Sequence, residues 1–589
     1  MEDLRELLRV GSTPGLNLVV LCDRSPESSA VEGYSNERLF NVADFHSALL
    51  LRLGHEEATV LEDWGEQDMA DGATLRRFLE EGVRRFPARR YGLVLADHGN
   101  GWGGLCLDDS GPEDEILTLD EVARALEESA PARGGRKLDL VSFDACLMAS
   151  VEVALAVAPY GRIMVASEEL EPLSGWDYLP VVRALEVRPD LEASALGKLA
   201  VQSFRRSFAN SPLPEVREEG RASTLSVLDL ERMPPLRRAL DRFGRAGLED
   251  LSSRGRAAWL DLARARSRTE QYGSEGLPED PGSAALDLGD LARRVARASP
   301  ESEPGRAARE VLRALEPVVL ARYHGELRPE STGLSVFLPP DRETLEDFAP
   351  AVYRKLPGMP SAWQDLVERY AAMVRPDRGE PLLAGLRVDR TRLRPGREHL
   401  ELEARVLEPL ELDRAWFVVL EADGSDRVVV GQEPLDLGAP GPFRRCWDGS
   451  LLTLGAGDPE EAIRLPVSSA EGRGLVARAQ VRQGQGAWRD VQLHLEAGRL
   501  ARVTLEGTGR RRPVHLAEGD RLRARYLAFD QEGVAGTTPG EEELRVPAHP
   551  GDLEVRRAPL PAGGYEVGFL VYDFDGDRAL ETRPVTLRD

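Results

Sequence analysis

The apolar pattern of this chain changes at about residue 376, and that change restricts its fold more than any other feature of the sequence. Before Pro376, short apolar runs alternate with longer segments of helical period, which is typical of βαβ units around a parallel sheet. After it, alternating strand patterns are separated by Gly, Pro and Asp, and helical periodicity almost vanishes. We therefore predict an α/β domain over residues 1–375 and an all-β, sandwich-type region over residues 376–589, as one elaborate sandwich or two subdomains.

The length of the chain limits its domain organisation, and its net charge limits the classes of binding partner. A chain of 589 residues is too long for one hydrophobic core, in keeping with two domains. Lys and Arg number 76 against 101 Asp and Glu, which gives a net charge of −25. This charge argues against nucleic acid and anionic membranes as partners and allows a basic substrate to be attracted.

Targeting signals and cysteine usage point to a reducing compartment. The N-terminal residues Met1–Arg5 lack the basic-then-apolar order of a secretory signal, and no apolar run approaches the ~20 residues that cross a bilayer. We therefore expect a cytoplasmic protein. The cysteines form no CxxC pair and no dense framework, which predicts free thiols rather than a zinc site or a disulfide scaffold.

The α/β domain divides into recognisable elements. Strands are predicted for the short apolar runs Leu16–Cys22, Ala58–Leu61, Tyr91–Ala96, Leu138–Phe143, Gly161–Ala166 and Gly333–Leu338. Helices are predicted where apolar residues recur with helical period, at Asn36–Leu53, Thr74–Phe86, Leu147–Val157 and Ser361–Met373. The string from Thr118 to Glu121 fits a capping box that opens a further helix.

One histidine and one cysteine stand out by their position. His98 follows the predicted strand Tyr91–Ala96, and Cys146 follows the predicted strand Leu138–Phe143. Because a single crossover with one helix separates these strands, they are expected to be close neighbours in an open parallel sheet. Their carboxyl ends form the edge where catalytic residues gather, so we expect both side chains in one cleft.

The two residues together suggest nucleophilic catalysis. A thiolate attacks an acyl carbon, and an adjacent imidazole takes up and returns the proton. Cys146 is predicted at the start of a helix, where the positive end of the macrodipole lowers the pKa of a thiol. The glycines beside His98 let the backbone approach a substrate carbonyl. The backbone N–H groups of Gly99 and Cys146 are candidates for an oxyanion hole.

Asp144 lies two residues before Cys146. Strand alternation would put both side chains on one face, where the carboxylate would receive a Lys or Arg side chain. Alternatively, Asp144 caps the following helix. The residues alone do not separate these two interpretations.

Other interpretations of the two loops also stay open at this level. A cysteine at a strand end is often only a small buried apolar residue, and a glycine-rich loop after a strand can hold phosphate. The string from His98 to Gly104 lacks both the GxGxxG spacing and the Walker GK[ST] ending. A nucleotide site is therefore disfavoured.

The strings around these residues resemble the clostripain family of cysteine peptidases, which shares the caspase-type fold with gingipains. The resemblance runs in the family's order through Asp68–Asp71, Asp97–Trp102, Ser142–Ala149, Ala166–Glu169, Gly175–Tyr178, Leu286–Asp290 and Gly333–Pro339. It implies a caspase-like, mainly parallel sheet flanked by helices. It also implies a cysteine endopeptidase in which His98 and Cys146 form the dyad and the acyl-enzyme is a thioester.

The resemblance further implies specificity for Arg or Lys at P1. Asp144 is the best matching position for an acidic S1 pocket, and Asp177 is a second. Glu168 and Glu169 lie in a matching segment without an assigned role. The expected partner is therefore a protein or peptide substrate with a basic P1 residue.

Two features of the sequence depart from the family. Family members often cut themselves between the catalytic His and Cys, yet the stretch from Gly103 to Val122 carries no Lys or Arg. Better candidates for such cleavage are Arg133, Arg136, Lys137, Arg217 and Arg221. The second departure is the missing secretory signal, from which we hypothesise that a partner, a ligand, cleavage or the β region restrains the enzyme. The alternative from another class is a peptidase-like regulatory or binding protein, whose dyad serves only self-processing or is vestigial.

Calcium is the one cofactor that the resemblance suggests, because some relatives depend on it. The acidic loop Asp108–Glu115 would offer hard oxygen ligands, although a solvated loop is the more common case. The string from Asp573 to Asp577 is similar to an EF-hand loop, but its Gly falls at the fourth place and its context is β. We therefore predict a hairpin turn there and assign no metal ligand.

Overall fold

A computed structural model describes residues 2–24, 41–42, 45–108, 116–129, 134–172, 175–273, 284–347, 350–375, 382–407, 411–423, 426–437, 442–457, 461–471, 474–505, 514–530 and 535–588. The chain forms two compact units. The first is built mainly from Met1–Asp261 and Ser283–Ala372, and the second mainly from Met373–Asp589.

The first unit mixes strands and helices. Its strands are β1 (Val19–Cys22), β2 (Leu49–Leu53), β3 (Ala58–Asp63), β4 (Gly92–Ala96), β5 (Leu105–Leu107), β6 (Ile116–Leu117), β7 (Leu138–Asp144), β8 (Gly161–Ala166), β9 (Thr224–Asp229), β10 (Gln271–Tyr272), β11 (Ala285–Asp287), β12 (Val319–His324) and β13 (Ser335–Phe337). The helices up to residue 371 are Glu2–Leu8, Gly72–Arg85, Leu119–Glu128, Val151–Val157, Tyr178–Val187, Ala193–Asn210, Pro214–Ala222, Met233–Arg254, Arg256–Ser267, Leu288–Ala298, Glu303–Leu315, Arg342–Asp347, Pro350–Tyr353 and Ser361–Ala371.

The predicted helix Asn36–Leu53 is wrong where the structure describes it. Its last part is β2, which pairs antiparallel with β1 on one side and β3 on the other. Alternate leucines of β2 enter different apolar clusters, with Leu49 and Leu51 in one and Leu50 in the other. A strand buried on both faces carries a continuous apolar run, and such a run is easily mistaken for a buried helix.

The central sheet of the first unit has the strand order β12-β9-β8-β7-β4. The ladders β4/β7 and β7/β8 are parallel, whereas β8/β9 and β9/β12 are antiparallel. The expectation of a mainly parallel sheet is therefore correct for three strands and wrong for the other two. The long helical connection from β8 returns the chain to the carboxyl end of β8, so β9 runs back along it.

Helices flank this sheet and local signals define their ends. In the helix Ala193–Asn210, Phe204 and Phe208 share an apolar cluster with Val165 of β8 and Val227 of β9. The predicted capping box at Thr118 is confirmed. Its hydroxyl accepts from the N–H of Glu121, and the carboxylate of Glu121 accepts from the N–H of Thr118 at 3.0 Å.

From Met373 onward, the described residues of the second unit form strands and no α-helix, as the sequence predicts. Its strands are β14 (Leu383–Val388), β15 (Arg392–Leu393), β16 (Leu400–Val406), β17 (Leu412–Asp423), β18 (Asp426–Pro434), β19 (Phe443–Trp447), β20 (Ser450–Gly455), β21 (Ile463–Arg464), β22 (Val467–Glu471), β23 (Gly474–Arg482), β24 (Arg489–Glu496), β25 (Arg499–Leu505), β26 (Arg521–Phe529), β27 (Ala535–Pro539), β28 (Leu544–Arg545), β29 (Glu554–Pro559), β30 (Gly563–Asp573) and β31 (Arg578–Leu587).

Strand β17 separates two apolar cores of this unit. Phe417 and Val419 pack in a cluster with Leu402 of β16, whereas Trp416 and Val418 belong to a different cluster. The alternation of side chains along a strand explains this division. A third cluster lies among β23, β24 and β25.

The predicted turn at Asp573–Asp577 is confirmed as a hairpin, because β30 and β31 pair antiparallel up to Tyr572 and Arg578. Among the described helices, none combines the length and the apolar character that a membrane crossing requires.

Candidate active site

The loop that carries His98 leaves the sheet at the end of β4 and folds back on itself. The carbonyl of His98 accepts a hydrogen bond from the N–H of Cys106 at 3.0 Å. Trp102, only 7% exposed, anchors the loop with its ring centroid 5.0 Å from that of Phe337 and 4.9 Å from that of Tyr353. An aromatic anchor of this kind fixes the loop against the body of the unit.

The two predicted catalytic residues leave the sheet at equivalent points. β4 and β7 are parallel neighbours, and Ala96 pairs with Asp144. His98 and Cys146 therefore each lie two residues beyond the same rung of the ladder. The expectation that these strands are neighbours is confirmed.

Gly99 brings the two loops into contact. A Cβ atom on Gly99 would lie 2.4 Å from the carbonyl oxygen of Cys146 and 2.9 Å from its nitrogen. Real Cβ atoms do not approach backbone so closely, so only glycine fits here. The residue after His98 is thus packed directly against the backbone of Cys146.

Cys146 does not lie at a helix N-terminus, contrary to the prediction. The helix begins at Val151, and Ser150 is its N-cap, accepting a hydrogen bond from the N–H of Val153. Leu147 has a φ of +65°, a left-handed conformation that a leucine rarely adopts. The apolar residues 147–149 imitate a helical pattern but lie outside the helix, so Cys146 is not at the positive end of its dipole.

The turn after β7 is held by the segment that follows β8. The N–H of Ala149 donates to the carbonyl of Ser167 at 2.7 Å, and the N–H of Leu147 donates to that of Glu169 at 3.2 Å. The N–H of Glu171 donates to Sγ of Cys146 at 3.2 Å. The sulfur, which is 4% exposed, therefore receives a backbone donor that would stabilise negative charge on it.

Asp144 is surrounded by donors from the segment at residues 176–178. Its Oδ2 accepts from the hydroxyl of Tyr178 at 2.7 Å and from the N–H of Trp176 at 3.3 Å. It does not cap the helix, whose N-cap is Ser150, so that interpretation is wrong.

Glu171 places a second carboxyl beside Asp144. Its side chain accepts from Nε1 of Trp176 at 3.1 Å. Burial, followed by the Asp144 carboxylate, raises the pKa of Glu171 well above its usual range. The two carboxyl groups thus lie together next to the sulfur of Cys146.

Comparison with known proteins supports what the loops suggest. The sequence profile of the clostripain family matches residues 1–369. The chain belongs to the clostripain family. It is 29% identical over 186 residues to clostripain of Hathewaya histolytica, an alignment that covers 27% of this chain and 33% of that protein. The match thus spans only a third of the curated relative.

Solved structures similar to this clostripain-family chain are C11 proteases. One is an inactive zymogen from Parabacteroides distasonis, with a TM-score of 0.43 and 19% identity, covering 62% of this chain and 92% of that one. Another is a secreted C11 cysteine protease from Bacteroides thetaiotaomicron in complex with an irreversible peptide inhibitor, with a TM-score of 0.41 and 18% identity. That similarity covers 62% of this chain and 94% of the other.

Asp177, the second predicted substrate-binding residue of this family member, is half-buried. It occupies the N-cap position of the helix Tyr178–Val187, but its side chain makes no capping hydrogen bond. Burial raises its pKa. Its neighbours Trp176 and Tyr178 both contact the Asp144–Glu171 pair, so Asp177 lies on the segment that lines that pair.

Glu169 now has a structural explanation. It is 2% exposed and forms a salt bridge with Arg328 at 2.5 Å, while its carbonyl holds Leu147. Glu169 therefore stabilises the turn after Cys146 through its backbone carbonyl, while the salt bridge with Arg328 fixes its side chain.

Glu168 faces a second buried carboxyl group. Its Oε1 accepts from the N–H of Gly333 at 2.9 Å and lies 3.2 Å from the hydroxyl oxygen of Tyr272, which also lies 3.1 Å from Oδ2 of Asp287. Burial, followed by the Asp287 carboxylate, raises the pKa of Glu168 well above its usual range. Glu168 and Asp287 together join β8 to the segments around β10, β11 and β13.

Some sequence expectations fall outside the described residues. The acidic loop is described only at Asp108, whose Oδ2 accepts from the N–H of Met69 at 2.7 Å, and residues 109–115 lie outside. Arg133, a candidate for self-cleavage, also lies outside. Of the other candidates, Lys137 donates to the carbonyl of Ala158 at 2.7 Å.

Sequence reasoning missed Glu171 and the donors Trp176 and Tyr178. A usable signal was available, since β8 was predicted as the strand after the Cys146 strand. The segment that leaves the carboxyl end of a neighbouring parallel strand passes the same sheet edge. Glu171 and Trp176 lie in that segment.

Proposed function

We propose that this clostripain-family chain is a cysteine endopeptidase that cleaves after Arg or Lys, with Cys146 as nucleophile and His98 as general base. The observation that carries the proposal is the contact between the two loops, in which Gly99 packs on the backbone of Cys146. The imidazole of His98, one residue from this contact, and the thiol of Cys146 are the two groups that acyl transfer requires.

Acylation would begin with the thiol proton passing to the imidazole of His98. The sulfur of Cys146 then attacks the carbonyl carbon of the scissile bond, and the N–H groups of Gly99 and Cys146 stabilise the resulting oxyanion. As the C–N bond breaks, the imidazolium returns the proton to the leaving amine. The products of this step are a thioester on Cys146 and the released C-terminal peptide.

Deacylation repeats these roles with water. The imidazole of His98 takes a proton from a water molecule, which attacks the thioester carbon. The C–S bond breaks, and the proton returns to the sulfur. The backbone N–H of Glu171, 3.2 Å from Sγ, would favour the sulfur as a leaving group because it stabilises negative charge there.

The charge around Cys146 supports a basic P1 residue. Asp144 is 8% exposed and Glu171 is 7% exposed, so two carboxyl groups lie together in a site of low dielectric. A guanidinium or ammonium group bound next to them would compensate the negative charge of a carboxylate there. Asp177 would add a second carboxylate on the same segment.

Hydrolysis of short fluorogenic peptides tests this proposal. Peptides that end in Arg or Lys at P1 are expected to be cleaved by the wild-type protein, and Cys146→Ala and His98→Ala are each expected to lower kcat/KM by at least about 10³-fold. Cys446→Ala is the matched control, since it removes an exposed thiol and leaves the rate unchanged. If none of the four proteins hydrolyses these peptides, with or without added calcium, the regulatory or binding role would be favoured.

We further propose that residues 1–375 form the catalytic domain and that the β region over residues 376–589 restrains it. The two compact units agree with this division in outline. Deleting residues 376–589 is expected to raise the activity of the folded remainder. Unchanged activity in that folded remainder would remove the regulatory part of the proposal and leave the peptidase assignment untouched.

A further inference from the structure

An acidic cluster lies at one end of the second unit, far along the chain from the residues of the proposed active site. Asp573 is the last residue of β30, Asp575 lies on the turn that leads to β31, and Glu411 immediately precedes β17. One carboxylate oxygen from each of the three lies within 4.8 Å of the other two. The ladder of β17 and β30 explains the proximity, because Leu412 pairs with Asp573 at its end.

We propose that Glu411, Asp573 and Asp575 bind one Ca²⁺ ion. Two ligands of the same Ca²⁺ ion can lie up to about 5 Å apart, since each Ca–O distance is about 2.3–2.6 Å. The spacing of these oxygens fits that limit. The group contains carboxylates and neither imidazole nor thiolate, which is a hard-oxygen set of the kind that Ca²⁺ prefers. The proposal is independent of the peptidase assignment.

A second observation points to a ligand. Asp573 is only 2% exposed, and its buried Oδ2 atom has no hydrogen-bond partner among the described residues. Its other oxygen is satisfied, because Oδ1 accepts from the N–H groups of Asp575 and Asp577, each at 2.9 Å. The hydrogen bonds of the turn therefore satisfy Oδ1 alone. A buried oxygen atom without a hydrogen-bond partner is rare in native proteins, so Oδ2 indicates a further ligand.

The burial of neighbouring carboxyl groups also favours a cation at this place. Asp575 is 5% exposed, so two nearly buried carboxylates lie beside a third. Burying carboxylates together is unfavourable unless a positive group compensates them. A divalent ion in contact with Oδ2 would remove both the repulsion and the unsatisfied oxygen.

Binding at this place would join two parts of the second unit. The N–H of Phe574 already donates to the carbonyl of Glu411 at 3.0 Å, which draws the hairpin turn toward the start of β17. An ion bound to Glu411 and to the two aspartates would link the hairpin turn to the start of β17. A ligand that binds only the folded state stabilises it, so Ca²⁺ is expected to raise the unfolding temperature of the second unit.

Calorimetric titration of Ca²⁺ into the full-length, EDTA-treated protein tests the proposal. We expect a binding site that Asp573→Asn weakens at least 10-fold, together with a rise of roughly 5–10 °C in the unfolding temperature of the second unit at 100 times Kd. Asp573→Asn keeps the shape of the side chain and the Oδ1 acceptor. Glu411→Gln is a second variant that leaves the hydrogen bonds of the turn intact, and it is expected to weaken binding similarly.

Two controls locate the site. Glu461→Gln changes an exposed carboxylate of the same unit and is expected to leave Ca²⁺ affinity unchanged. A variant with Glu113→Gln, Asp114→Asn and Glu115→Gln neutralises the acidic loop and is also expected to bind normally. Absence of calcium binding in the wild type, or binding that the loop variant loses and Glu411→Gln keeps, would overturn the proposal.

Discussion

Two regions of this molecule crowd carboxyl groups together, and they satisfy them in different ways. Beside Cys146, side-chain donors from Tyr178 and Trp176 contact Asp144 and Glu171. In the second unit, Oδ1 of Asp573 accepts from two backbone N–H groups, and Oδ2 has no hydrogen-bond partner among the described residues. The first cluster is therefore satisfied by side-chain donors of the protein, whereas the second leaves one oxygen for the proposed ion.

The difference suggests what each cluster recognises. A carboxylate already held by hydrogen bonds can exchange one cationic partner for another, as binding a substrate side chain requires. A carboxylate with an orphaned oxygen suits a permanent ligand that completes its coordination. A specificity pocket must bind and release substrate side chains, whereas a structural ion stays bound.

Removing the charge of Asp144 has the largest expected effect and would sharpen this contrast. Asp144→Asn loses the proposed partner of the P1 cation, and breaking a buried pair costs about 3–5 kcal/mol. We expect kcat/KM for Arg peptides to fall on the order of 10²- to 10³-fold. Asp573→Asn, the matched change in the other cluster, should leave kcat/KM within about twofold. Equal losses in the two variants would break the comparison.

Gly99 and Gly576 provide a second pair of matched substitutions. Gly99→Ala adds a Cβ atom 2.4 Å from the carbonyl oxygen of Cys146, whereas Gly576 has a φ of +89° and nothing within 4 Å of an added Cβ. Misplacing the loops by about 1 Å is expected to lower kcat about 10²-fold in Gly99→Ala. Gly576→Ala should destabilise the turn by about 1 kcal/mol through backbone strain alone.

A normal rate in Gly99→Ala would show that the two loops need not touch. Circular dichroism of both variants checks that each protein remains folded, so that a loss of rate is not a loss of structure.

The hydroxyl of Tyr178 tests how far side-chain donors stabilise the first cluster. Tyr178→Phe removes the 2.7 Å hydrogen bond to Asp144 and leaves Oδ2 with the weaker bond from Trp176 alone, and the loss of such a donor to a buried carboxyl group costs about 1–3 kcal/mol. We expect the free energy of unfolding of the first unit, measured with denaturant, to fall by this amount. Tyr160→Phe, at a tyrosine close to the surface of the same unit, should change stability little. A stability of Tyr178→Phe equal to wild type would contradict the role given to this donor.

The pH dependence of stability gives the smallest effect. Burial raises the pKa values of Glu168 and Glu171 in the folded state, so the folded protein binds more protons than the unfolded chain. This contribution is fully present below the unfolded pKa of about 4.3 and is lost as pH rises toward the folded pKa. Between pH 5 and 7, the first unit should lose at most about 1.4 kcal/mol per pH unit for each retained proton.

Glu168→Gln should lower the slope of unfolding free energy against pH by up to about 1.4 kcal/mol per pH unit, which is the contribution of one proton. Denaturant unfolding at several pH values measures this slope. A first unit that becomes more stable over the same range would show that these carboxyls are ionised in the folded protein.

The sequence predicted the parts of the site that depend on strand order. His98 and Cys146 follow consecutive strands joined by one crossover, and such strands are neighbours in a parallel sheet. Ala96 does pair with Asp144. The capping box at Thr118 was predictable for a similar reason, because its hydrogen bonds are local.

The parts that sequence reasoning missed depend on packing between distant segments. The apolar residues 147–149 continue the pattern of the helix, but hydrogen bonds to the distant residues Ser167, Glu169 and Ser335 hold them outside it. The leucines of β2 form a strand because two separate cores bury its two faces. Glu171 reaches Cys146 through the path that the chain takes after β8, which no local pattern encodes.

Labelling with an irreversible peptide inhibitor that carries Arg at P1 tests the central claim most directly. Cys446 is exposed and Cys146 is buried, so a nonspecific alkylating reagent would modify Cys446 first. We predict that peptide mapping by mass spectrometry finds the inhibitor on Cys146 alone, and that Asp144→Asn slows this labelling on the order of 10²-fold. Modification of Cys446 without Cys146, or equal labelling by a peptide with Glu at P1, would contradict the account.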